Sequence, residues 1–156
     1  MKAKLLYLFV FIGTLSACTK DQFQTKPQLK LKDVKTSLIQ TQGGTVGGIV
    51  EFDLEVTDAE GDIQGEIMID KIFTGTNNCP GNTITNLRYP IPEFPSSQNQ
   101  KVIVRVKISN IVLSGYLLIT NKCNSFPDIS YFNFAITDKA GNVSDTLRTD
   151  PITIPQ

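Results

Sequence analysis

The chain predicts an all-β fold, an antiparallel β-sandwich of about seven to nine short strands. Three observations predict it. Apolar residues recur with period two rather than 3.6 in several separate segments. No segment carries a convincing amphipathic helix. Turn residues rich in Gly, Asn and Pro interrupt the pattern at short intervals.

The strands can be placed in order. Leu29, Leu31 and Val34 mark the first. Gly43-Gly44 and Gly47-Gly48 then bracket a loop. Val50, Phe52, Leu54 and Val56 alternate with Glu51, Asp53, Glu55 and Thr57, which is a strand with one buried and one wet face. Ile67 and Ile69 resume the pattern. Pro90, Pro92 and Pro95 punctuate residues 89–94, which read as an edge or an irregular crossing segment. Val102, Val104, Val106 and Ile108 form the next alternating set, and residues 111–120 are a further apolar, β-branched stretch. Phe132, Phe134 and Ile136 alternate again, and residues 143–154 close the chain as a strand interrupted at Pro151.

One pattern occurs twice. Val56-Thr57-Asp58-Ala59-Glu60-Gly61-Asp62-Ile63 matches Ile136-Thr137-Asp138-Lys139-Ala140-Gly141-Asn142-Val143. Each reads as a strand leaving into a tight turn, where Asp bonds the turn backbone and Gly supplies positive φ. The second copy resembles the hairpin between the last two strands of bacterial immunoglobulin-like modules. At the level of strand pattern the resemblance covers residues 27–154, and it implies an immunoglobulin-like sandwich. The chain departs from that pattern in having no Trp and no Cys on the facing central strands.

The first residues are of another kind. Lys2 and Lys4 precede the apolar run Leu5-Leu6-Tyr7-Leu8-Phe9-Val10-Phe11-Ile12, which is as long as a signal-peptide core and too short to span a bilayer. It ends in Leu15-Ser16-Ala17-Cys18, which resembles the bacterial lipobox. The resemblance implies cleavage after residue 17, diacylglycerol on Cys18 and stable anchoring by several acyl chains. Residues 1–17 are then a signal peptide, 18–26 the anchor and a flexible tether, and 27–156 the domain. Thr19 stands where Asp would favour inner-membrane retention, so the outer membrane is expected, on its periplasmic or cell-surface face. Lys20-Asp21 weakly resembles the charged surface-export signal of Bacteroidota envelope lipoproteins.

Composition removes several function classes. Lys and Arg number 15, as do Asp and Glu; without the two leader lysines the net charge is −2. That offers no electrostatic case for nucleic acid. His is absent, which removes imidazole ligands and Ser–His chemistry. Gly-x-Ser-x-Gly, Ser-x-x-Lys and phosphate-loop patterns are absent as well. Cys79 and Cys123 remain once Cys18 is lipidated, and in an oxidising compartment one disulfide between them is the economical reading.

The leading expectation is a non-enzymatic envelope lipoprotein, held to the membrane by its lipid and presenting a sandwich to a protein or glycan. Tyr89, Phe94, Tyr116, Phe126 or Tyr131 would serve such binding if exposed together. A calcium-dependent, adhesion-type module is the alternative. If Val50–Val56 is the second strand and Phe132–Ile136 the penultimate one, both repeated turns emerge at one end, and Asp58, Glu60, Asp62 and Asp138 become neighbours able to hold calcium. A small carboxylate hydrolase is the third reading. Glu51, Asp53 and Glu55 share one outward strand face, which favours a solvated surface over a catalytic pair.

Overall fold

A computed structural model of the chain describes residues 23–74, 82–119 and 128–156. Its strands are β1 (Gln28–Gln40), β2 (Val46–Asp58), β3 (Glu66–Phe73), β4 (Ile84–Pro90), β5 (Gln100–Ser109), β6 (Leu117–Leu118), β7 (Asp128–Thr137), β8 (Leu147–Arg148) and β9 (Ile152–Ile154). One sheet runs β1-β2-β5-β6; the other runs β4-β3-β7-β8, with β9 continuing the outer edge of β7. All pairings are antiparallel except the two-residue β5–β6 contact, which is parallel. The chain changes sheet after β2, after β4 and again before β7, giving the immunoglobulin-like sandwich expected from the strand pattern.

Alternation explains how the two sheets meet. Val50, Phe52, Leu54 and Val56 of β2 point inward and are fully buried, as are Ile67 and Ile69 of β3 and Phe132, Phe134 and Ile136 of β7. Three Phe rings stand at the centre of the core. Phe52 packs its ring 4.9 Å from Phe132 in a tilted contact and 5.0 Å from Phe134 in an edge contact, both between sheets.

Two expectations are corrected. Gly47 and Gly48 lie within β2 rather than in a loop, and the turn is confined to residues 41–45. Gly48 is needed there because a Cβ would sit 1.9 Å from the carbonyl oxygen of Pro155, so the C-terminal segment crosses against bare backbone. Of the apolar, β-branched stretch, residues 111–119 are described and contribute little strand. Tyr116 N–H bonds the Leu113 carbonyl in a turn, with Gly115 at φ 77°, and only Leu117–Leu118 pair with β5. Apolar, β-branched composition marks burial, but without alternation it does not specify a ladder.

The register defines two poles. Gln28 opens β1 opposite Thr57, and Ala59 N–H donates to the Gln24 carbonyl at 3.0 Å, so the N-terminal segment arrives beside Asp58. The β1–β2 turn and the residues after β5 lie at the opposite pole, about 40 Å away by the rise of a 13-residue strand.

Candidate metal centre

Both repeated turns lie at the N-terminal pole. Asp58 ends β2, and its Oδ2 accepts from the N–H groups of Gly61 (2.6 Å) and Asp62 (3.3 Å). Gly61 has φ 74°, and a Cβ on it would lie 1.9 Å from the Ser97 carbonyl oxygen. In the second turn Asp138 Oδ1 accepts from Asn142 N–H at 2.7 Å, and Gly141 has φ 91°. The turns also touch each other. Asp62 accepts from Lys139 N–H through its carbonyl and from Ala140 N–H through Oδ2, at 3.0 and 3.1 Å.

These contacts gather three carboxylates. One oxygen from each of Asp58, Asp62 and Asp138 lies within 4.8 Å of the others. Asp58 is 0% exposed and Asp138 is buried; Asp62 is half-buried. Glu60, expected as a fourth member, is exposed and stands outside the group, because it points to solvent from the turn crest. Burial raises the Asp58 carboxyl above its ordinary pKa; the Gly61 and Asp62 N–H groups oppose that, and the Asp62 and Glu60 charges add to it.

No family model, curated protein or solved structure matches this chain.

Other expected positions have separate surroundings. The outward face of β2 is neutralised rather than simply wet. Asp53 takes a two-pronged bond from Arg105 at 2.6 and 2.9 Å, which holds its carboxyl below the ordinary range. Glu55 is 9% exposed, lies between Lys101 and Lys32, and is likewise lowered, first by the Lys101 hydrogen bond. Glu51 accepts the Tyr116 hydroxyl at 2.9 Å. The aromatic residues do not form one patch. Tyr89 and Phe94 share a hollow of about 450 Å³ with Ile91 and Val104, Tyr116 lies under Lys107, and Tyr131 is stacked by Arg148 at 3.5 Å. Phe126, Cys18, Cys79 and Cys123 lie outside the described residues.

Sequence reasoning missed a second polar cluster. Lys71 and Asp128, each with a side chain 1% exposed, pair at 2.6 Å near the opposite pole. Lys71 Nζ also donates to the Asn82 carbonyl (2.8 Å), and Ser130 donates its hydroxyl to Asp128 Oδ1 (2.6 Å). Burial pulls the Lys71 ammonium below its ordinary pKa, against the Asp128 bond that holds it up. The signal was parity: Lys71 continues the inward series Ile67, Ile69.

Proposed function

We propose that the protein is an exported, lipid-anchored, non-enzymatic envelope module that offers the pole opposite its anchor to a protein or glycan partner. The arrangement of the poles carries this reading. The lipobox ends at Cys18, and the ten residues from there to Gln28 reach at most about 35 Å. They lead to the Asp58 pole, so acylation at Cys18 sets that pole towards the outer membrane. The opposite pole then stands about 40 Å farther out.

That outer pole has what a binding surface needs. A hollow of about 510 Å³ is lined by Thr41, Thr45, Asn110, Ile111, Val112 and Leu118. Val112 is 82% exposed, and Val46 and Leu118 are exposed beside it. Apolar side chains grouped around a concave, partly polar surface favour a partner over bulk water.

A photo-crosslinking residue placed at Val112 in intact cells tests this. It should yield a discrete adduct that the same residue at Ala140, on the anchored pole, does not, and Leu118→Lys should abolish it. No adduct from Val112, or the same adducts from both positions, would contradict the reading.

A further inference from the structure

The two repeated turns differ at one position, and the difference has a chemical consequence. In the second turn, Asn142 Nδ2 donates to Asp138 Oδ2 at 2.9 Å, so both oxygens of that carboxylate are occupied. The equivalent residue of the first turn is Asp62, whose side chain carries no amide donor. Asp58 Oδ1, in a fully buried side chain, is consequently left without a hydrogen-bond partner, and so is the buried Oδ1 of Asp62. Among the described residues one other buried side-chain oxygen is unpartnered, Oε1 of Gln100. Gln100 is the residue directly opposite Asp58 in the β2–β5 ladder, so its side chain leaves the sheet on the same face.

Orphaned buried acceptors are rare and costly. Here all of those among the described residues belong to one pole, and two of them sit in a cluster of three carboxylates. No ion pair from Lys or Arg to Asp58, Asp62 or Asp138 occurs among the described residues, and the ammonium of neighbouring Lys139 is bonded to Gln64. One positive centre could satisfy several of these oxygens at once.

We propose that Asp58, Asp62 and Asp138 bind a calcium ion that clamps the two turns together. The donors are all oxygens, which suits a hard cation. The three carboxylate oxygens lie within 4.8 Å of one another, close enough to share one ion. Calcium holds oxygens at about 2.3–2.6 Å in a flexible geometry, whereas magnesium demands a near-ideal octahedron at about 2.0–2.1 Å, so side chains brought together from two separate turns favour calcium. Water and neutral oxygens such as that of Gln100 complete the six to eight ligands calcium takes. Because Ala59 N–H bonds the Gln24 carbonyl directly beside Asp58, the loaded site also fixes the angle at which the N-terminal segment meets the domain. This inference rests on the turn geometry alone and is independent of the lipid.

The second turn supplies the decisive variant. Asp62→Asn places in the first turn the amide donor that the second already has, so it substitutes for the ion. The full chain, purified in detergent, is melted in about 10 mM calcium chloride and in chelator. A hundredfold excess over Kd shifts the folding equilibrium about a hundredfold, or about 2.7 kcal/mol, which reads as roughly 10 °C in Tm for a domain of this size. Wild type should show that shift. Asp62→Asn should melt above wild type in chelator and no longer respond to calcium. Asp138→Asn, which retains the first turn intact, should lose at least tenfold in calcium affinity by calorimetry. An unchanged wild-type Tm with no heat of binding overturns the proposal. So does a calcium response that survives in Asp62→Asn, or an equal response to magnesium chloride.

Discussion

Removing one partner of the Lys71–Asp128 pair should be among the most damaging single changes to this domain. Both side chains are 1% exposed and meet at 2.6 Å. Among the described residues, Asp128→Ala leaves the ammonium with the Asn82 carbonyl as its remaining partner and takes away the acceptor of the Ser130 hydroxyl. An uncompensated buried charge costs about 3–5 kcal/mol, equivalent to roughly 12–20 °C in Tm at about 4 °C per kcal/mol. The double variant Lys71→Met with Asp128→Ala removes both charges and keeps an unbranched apolar chain along β3, so it should recover most of that loss. Urea unfolding of the wild type, the single variants Asp128→Ala and Lys71→Met, and the double variant at neutral pH measures it. If Asp128→Ala loses less than about 1 kcal/mol, or the double variant is as unstable as the single ones, the pair is not a desolvated, mutually dependent unit, and the reasoning fails.

Two further outcomes follow from the same geometry. Burial raises the Asp58 pKa above 3.8, so in chelator the folded state binds more protons than the unfolded chain between 3.8 and the raised value, and stability falls as pH rises through that window. Wild type should therefore gain on Asp58→Asn as pH falls from neutral towards 3.8, by urea unfolding in chelator; equal pH profiles would contradict the raised pKa. The pairing of Cys79 with Cys123, both outside the described residues, is expected from the sequence. It would close a loop of about 45 residues and contribute about 4 kcal/mol at most; non-reduced peptide mapping should find it, whereas two freely alkylated thiols in native material would exclude it.

Much of this architecture was legible in the residues because alternation at period two reports which face is buried. Val50 to Val56, Val102 to Ile108 and Phe132 to Ile136 declare themselves in this way, and they are three of the four central strands among the described residues. The repeated turn was legible too, since Asp and Gly at fixed spacing serve backbone bonds that form locally. The pairing of those turns then followed from topology. What stayed hidden depends on neighbours distant in sequence. Gly48 reads as a loop residue until the Pro155 backbone is placed against it. Glu60 and Asp62 read alike, but Asp62 is held by N–H groups of the other turn, Lys139 and Ala140, while Glu60 remains outside. Glu55 reads as solvated because its alternation points outward, yet Lys101 and Lys32 from the flanking strands close over it.

Fatty-acid labelling of living cells tests the account's central claim, that the domain is carried on a lipid at Cys18. Wild type and Cys18→Ala are expressed with an alkyne-tagged palmitate, captured, and compared for label and for membrane fractionation. The account predicts label and membrane retention for the wild type, with neither for Cys18→Ala. Equal labelling of the two proteins, or an unlabelled wild type, would contradict it.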